Sequence, residues 1–253
     1  MREVVLLQKI YGGVSLVEYE DFLKRLCEGL RVEFSSVSVE NGWVKVKVSG
    51  EDEDVAVRFL EKKVGLAPVS SKYVTQFSVL SGRVVSSGRS KVKVFVDIGI
   101  FLPKPVYAVV PLQRLQGQLI DCWKFALERI VKLFGLVDGF PLEIRVVKTN
   151  VDELEVELTE GQMALYGRWV DSRVDRLIVL GGSYGRVGKA IKKAKVSRDV
   201  LGVEALGMLE HVVVCKLGTD AAGLVPRLGR WLPGANFVVF SPRRVLDLVG
   251  GRW

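Results

Sequence analysis

Between Leu180 and Val196 the chain reads GGSYGRVGKAIKKAK, with glycines at 181, 182, 185 and 188 and the cations Arg186, Lys189, Lys192 and Lys193 close behind. Glycine ahead of a helix lets an anion approach the free amides of the first turn, and the helix dipole adds to the attraction. The chemistry open to such a stretch is phosphate binding. Two kinds of phosphate compete, a small nucleotide in a pocket and the backbone of a nucleic acid. The dinucleotide fingerprint G-x-G-x-x-G is not met, because Gly182, Gly185 and Gly188 are spaced by threes and only Glu204 could serve as the ribose acid. A P-loop would need G-K-[ST], which is absent. Val187, Ala190, Ile191 and Ala194 fall at i, i+3, i+4 and i+7, an apolar helix stripe that sends the four cations to the opposite side.

Other reactive residues are thinly spread. His211 is the only histidine, and Cys215, four positions along the same predicted strand, would lie roughly 13 Å from it. No Cys-His couple results, so both read as structural, Cys215 as a core thiol. Cys27, Cys122 and Cys215 have no C-x-x-C spacing, so neither a disulfide framework nor a zinc site is expected. Glu153, Glu155 and Glu157 share one strand face and could hold a divalent ion, yet alternation with Leu154, Val156 and Leu158 is what any solvated sheet surface produces. The expectation is binding without catalysis, metal or cofactor. The tryptophans are dispersed, and Trp231 within LGRWL reads as core.

The elements that must position these residues fall into three units. Residues 1–68 read as a small α/β domain, with a strand at 3–8, a helix at 16–29, a hairpin of 31–39 with 43–49 about Asn41-Gly42, and a helix over 52–64 opened by the acidic run 51–54. Leu66 to Ser71 reads as a linker. Residues 69–158 supply short strands around Ser86-Ser87-Gly88 and at 106–111, a helix at 112–119, a further helix over 121–134, and strands at 142–147 and 153–158, the pattern of a small barrel. In its second strand Lys91, Lys93, Phe95 and Asp97 point one way while Val92, Val94 and Val96 point the other. Residues 159–253 read as a helix at 160–170 followed by two strand, glycine loop, helix modules, with their helices at 187–195 and 222–232. IVLGGSYGRVGKAI and VVCKLGTDAAGLVPRL repeat that order, with Gly188 and Gly223 in matching places. The fold class is thus α+β and multidomain.

Net charge is +8, divided as −2, +3 and +7 over these three units. A field of one sign gathered at one end favours a polyanionic partner through steering and counterion release. No apolar run approaches the ~20 residues that span a bilayer, and the N-terminus lacks a secretory pattern, so a cytoplasmic protein with no membrane partner is expected.

Several stretches resemble known families. Gly82-Arg-Val-Val85, Val94-Phe95-Val96-Asp97-Ile98-Gly99 and Ala108-Val-Val-Pro111 resemble an S1-type RNA-binding OB barrel, departing from it at Ala108, where glycine is usual, and in the helical insertion. That resemblance implies RNA contacts from Lys91, Lys93, Phe95 and Tyr107, with Phe95 stacking on bases. Gly185-Arg-Val-Gly188-Lys-Ala-Ile191 resembles the G-x-x-G turn of KH domains, which clamps a nucleic-acid backbone, and implies contacts from Gly185, Arg186, Gly188, Lys189, Lys192 and Lys193. The order of small domain, S1-like barrel and paired KH-like modules resembles bacterial transcription factors of the S1-KH-KH type. LLQKIYGG and VVVCKLGTDAAGLVPRLG resemble an uncharacterised archaeal family, which implies a source but no activity. The reading is an RNA-binding protein, ribosome-associated or part of another ribonucleoprotein particle. The alternatives are a transcription factor on nascent RNA, an enzyme acting on RNA or a nucleotide through the glycine loop, and a module that docks an acidic protein.

Overall fold

A computed structural model of the chain describes all residues except 12, 86, 87, 151, 152, 252 and 253. Ser86 and Ser87 of the expected barrel turn, and Trp253, lie outside the described residues.

In the N-terminal unit the alternation of β3 (Trp43–Gly50) decides the packing. Val44, Val46 and Val48 are buried, while Lys45 and Lys47 reach across to Glu3 on β1 (Arg2–Val5). β2 (Val32–Glu40) completes an antiparallel sheet of order β1-β3-β2. Its hairpin turns at Asn41 and Gly42, whose φ values of 51° and 83° are those a two-residue turn of this twist demands. Helices α1 (Leu16–Leu26) and α2 (Glu53–Lys63) cover one face. A reciprocal capping box between Ser15 and Glu18 starts α1, and Glu53 and Asp54 sit in the first turn of α2, as the acidic run foretold.

The expected linker is partly built into the next unit. β4 (Val69–Ser70) pairs in parallel with β6 (Lys93–Leu102), because Ala67 is buried and its amide donates to the Val5 carbonyl, drawing the chain down onto the barrel. The barrel closes through β5 (Val79–Val85), β6, β7 (Val106–Pro111), β9 (Glu153–Leu158) and β8 (Pro141–Thr149), which returns to β5. Only the β7–β9 pair is parallel. This is an OB-like barrel of five strands. Between its third and fourth strands lie α3 (Leu112–Leu119) and α4 (Leu127–Phe134), whose leucines, Ile130 and Phe134 enter the barrel core. The helix expected from 121 begins only at Leu127, because Asp121 and Cys122 hold left-handed backbone that no α-helix continues.

In the last unit α5 (Glu160–Asp171) leads to β10 (Arg176–Leu180), α6 (Tyr184–Lys193), β11 (Val200–Ala205), β12 (Glu210–Cys215), α7 (Ala221–Gly229), β13 (Asn236–Phe240) and α8 (Pro242–Leu248). The strands form one sheet of order β11-β12-β10-β13, with every neighbouring pair antiparallel. The two repeated modules therefore interleave, each placing one strand between those of the other, in the split β-α-β arrangement of ferredoxin-like folds. This corrects the expectation of KH-like modules lying side by side. Alternation then buries both faces. Leu177, Val179, Val213 and Cys215 pack under α6 and α7, while Ile178, Leu180, Val212 and Val214 face α5, α8 and Phe134 of the barrel unit.

The three units meet at one buried carboxylate. Glu210 has 0% exposure. Its Oε2 accepts from Arg83 Nη2 of the barrel at 3.1 Å, and its Oε1 accepts from Gln8 Nε2 of the N-terminal unit at 3.0 Å and from the Tyr11 hydroxyl. Gly207 passes so close that a Cβ there would lie 2.1 Å from Glu210 Oε2. A second strap joins Asp97 of β6 to Lys9 at 2.5 Å and to the Trp43 indole at 3.2 Å.

Removing one member of a buried ion pair leaves the other charge uncompensated, a loss of about 3–5 kcal/mol, whereas apolar replacement of both is often close to neutral. Glu210→Leu should therefore lower the unfolding free energy by about that amount in urea titrations, and Arg83→Met with Glu210→Leu should recover a large part of it. Strictly additive losses from the two substitutions would contradict the coupling.

Candidate nucleic-acid interface

α6 starts earlier than its sequence implies. Ser183, with extended backbone, occupies the N-cap, and the helix runs from Tyr184, so Gly185 and Gly188 lie inside its first turns rather than in a G-x-x-G turn. The clamp expected by likeness to KH domains is absent, since a strand enters directly and Gly181 and Gly182 make the bend by donating to the Leu209 carbonyl. The stripe reading holds, with Val187, Ala190 and Ile191 buried and Ala194 packed beside them.

The outer side of α6 is almost purely cationic. Lys189, Lys192 and Lys193 are exposed, as is Lys195 just beyond the helix, and none of the four has a carboxylate within 4 Å among the described residues. Arg186 is half-buried. Beside them α7 presents Arg227, whose Nη2 donates to the carbonyls of Ala194 at 3.3 Å and Lys195 at 3.4 Å, filling acceptors at the end of α6. Lys193 Nζ stands 5.1 Å from the Trp231 ring. Trp231 is 45% exposed, which corrects its assignment to the core: the apolar contacts under α7 are made by Leu228 and Leu232 on either side of it. Residues 184–195 and 221–232 together hold seven cations and no carboxylate. A surface of that composition attracts a polyanion, although Arg227 is already paired with Asp199 at 3.3 Å.

At its N-terminal end α6 borders a groove of about 590 Å³ shared with α1, lined by Tyr184, Gly185, Arg186 and Lys189 on one wall and by Asp21 and Arg25 on the other. Tyr184 is 60% exposed and its ring lies 5.8 Å from that of His211. His211 itself is buried, and burial holds its imidazole below the usual histidine range, with the Glu210 charge opposing. Cys215 is a buried core thiol raised to about 11, chiefly by burial.

The barrel residues stand apart from this helix layer. In OB barrels the face of the second and third strands, here β6 and β7, contacts oligonucleotides. The expected alternation is present from Lys93 onward, with Val94 and Val96 buried and Lys93, Phe95 and Asp97 facing outward, whereas Val92, expected inside, precedes the strand and is exposed. That face is divided. Its Asp97 end is covered by Lys9 and Trp43, while at the other end Lys93 lies 5.2 Å above the Phe95 ring and pairs with Glu153. Phe95 is half-buried, Tyr107 is 42% exposed, and Lys91 is exposed just before β6. Glu155 and Glu157 are engaged by Arg114, and Glu157 also by Arg145, so the glutamate row is a network of ion pairs with the neighbouring cations. The central strands β10 and β12 of the last sheet offer no aromatic platform, because both of their faces are buried, and the largely exposed edge strand β11 carries no aromatic residue.

Sequence reasoning missed Arg227, Lys195 and Trp231 as neighbours of the α6 cations. The absence of acids from both helices was the available signal.

These features define a three-part α+β protein with an OB-like barrel and a basic helical layer. The chain belongs to the DUF2110 family: that family's N-terminal, central and C-terminal domains match residues 3–68, 75–170 and 174–240. It is similar to the intact alpha subunit of aIF2 from Pyrococcus abyssi at 8% identity and a TM-score of 0.27, over 68% of this chain and 98% of that one. No curated protein matches it. Among the described residues no helix is long and apolar enough to cross a membrane.

Gly185 and Gly188 are not required by the fold. Neither has a positive φ, and a Cβ on either would meet nothing within 4 Å. Alanine is a better helix former than glycine by about 0.5–1 kcal/mol. Gly188→Ala should therefore raise the unfolding free energy by about that amount; a fall would place an unrecognised contact at this position.

Proposed function

We propose that this chain is an RNA-binding protein without catalytic activity, which grips backbone phosphates with the outer layer of α6 and α7. The observation that carries this reading is the set of lysines 189, 192, 193 and 195, exposed and with no carboxylate within 4 Å among the described residues. Glycine at 185 and 188 fits the same role, since a backbone without side chains admits a phosphate closely where the fold has no need of it. Gly185, Arg186, Gly188, Lys189, Lys192 and Lys193 then act together with Arg227 and Trp231. The open end of the barrel face, with Lys91, Lys93, Phe95 and Tyr107, is a secondary contact, and Lys93 must leave Glu153 before Phe95 can stack on a base.

The preferred partner is a folded RNA within a large particle such as the ribosome, met in the cytoplasm. Rigid coupling of three units through Glu210 supports this choice over nascent RNA: surfaces at fixed separations suit a partner of fixed shape and reduce the ordering loss on binding. No cofactor or metal enters the proposal.

Each lysine that neutralises one phosphate of a single strand contributes about −0.7 to the slope of log K against log salt, so the four should supply about −3. Replacing Lys189, Lys192, Lys193 and Lys195 together by alanine should flatten the slope by that amount in fluorescence anisotropy titrations of the full chain. An unchanged slope would remove the helix layer from the interface, and thermal stabilisation by ATP or NAD would instead favour an enzyme that uses the groove beside Tyr184.

A further inference from the structure

A second surface lies away from the α6–α7 layer. A groove of about 530 Å³ runs between α4 and α8, with Leu133, Val239 and Leu248 among its apolar lining and Phe125, Arg129, Lys132, Arg244 and the carboxylate of Asp247 also lining it. At its mouth three groups form a ladder. The Arg129 guanidinium lies 4.5 Å from the centre of the Phe125 ring, and the Trp123 ring is within 11° of parallel to Phe125 at 6.3 Å. Trp123, 53% exposed, is the solvent-facing member. Lys124, Arg129 and Arg244 have no carboxylate within 4 Å among the described residues, whereas Lys132 and Arg243 are matched by Glu128 and Asp247 along their own helices.

Two properties coincide here that the helix layer does not combine in this way. An exposed indole continues an existing stack, and cations without partners flank an apolar floor. A duplex has no use for the first, since its bases are already stacked and only phosphates face outward. An unpaired base uses both, because its π-face extends the ladder while the adjoining phosphates meet the cations.

We infer that the α4–α8 groove is a second nucleic-acid subsite, which holds an unpaired base against Trp123 and its flanking phosphates on Lys124, Arg129 and Arg244. This rests on the RNA-binding reading and sharpens it. The α6–α7 layer supplies electrostatic grip on any strand, and the α4–α8 groove selects RNA with exposed bases, such as a loop or bulge.

The test uses the full chain, a 12-nucleotide oligouridine, an RNA duplex with the same number of phosphates and polyglutamate, each titrated over a series of salt concentrations. Trp123→Ala should weaken oligouridine binding about 5- to 150-fold, the range for loss of one stacked base. Duplex affinity and the salt slope should stay as in the wild type, and Trp123→Phe should restore most of the loss. Arg244→Glu, on a separate helix, should weaken the single strand as well, which keeps the test informative if Trp123→Ala fails to fold. Wild-type affinity for oligouridine in folded Trp123→Ala would overturn the subsite while leaving the α6–α7 reading intact. Absence of binding to either RNA by the unaltered chain would overturn both. Loss of polyglutamate binding in Trp123→Ala or Arg244→Glu, with oligouridine binding unchanged, would overturn the subsite in favour of an acidic protein partner.

Discussion

A carboxylate with no access to water must be met by donors from whatever surrounds it, and Glu210 is met from all three parts of the molecule. Arg83 brings the barrel, Gln8 and Tyr11 bring the N-terminal unit, and Glu210 stands at the start of β12 in the last unit. Withdrawing such a charge from water is several kcal/mol unfavourable unless the partners arrive with good geometry, so the units can adopt few relative placements. Burial, and then the neighbouring Glu210 charge, raises the Tyr11 hydroxyl above the ordinary phenol range, so Tyr11 remains a donor throughout neutral pH. Gly207 leaves the space that the carboxylate fills.

That placement decides which surfaces remain available. With the last sheet pressed between α6–α7 on one side and α5, α8 and the barrel helices on the other, its central strands β10 and β12 are closed to ligands. With Lys9 and Trp43 on Asp97, part of the barrel face is closed as well. The exposed features rich in unpaired charge are then helical. On α6 and α7 the apolar stripe is consumed by the sheet, and the opposite side must be polar; that it is uniformly basic is a property of this sequence rather than of the fold.

Much of the architecture was legible because its signals are local. Asn41-Gly42 announced a hairpin, alternating valines set the faces of β3 and β6, and the Val187, Ala190, Ile191 spacing set the buried side of α6. The interleaving of the two modules was not legible, since periodicity gives elements but not their order in a sheet. Nor was the extra turn of α6, where two glycines mimic a loop while Ser183 begins the helix. Trp231 was misjudged because apolar neighbours in sequence, Leu228 and Leu232, point inward while the indole points out. The Glu210 junction joins residues 127 and 202 positions apart, beyond the reach of any local pattern.

Ultraviolet crosslinking of the full chain to bound RNA, with adducts located by peptide mass spectrometry, shows most directly where RNA touches this surface. Adducts should appear on Tyr184, on Trp231 and on the lysine-rich peptide that follows Tyr184. Efficient crosslinking with every adduct in the first 158 residues and none between Tyr184 and Trp231 would contradict an interface on α6 and α7.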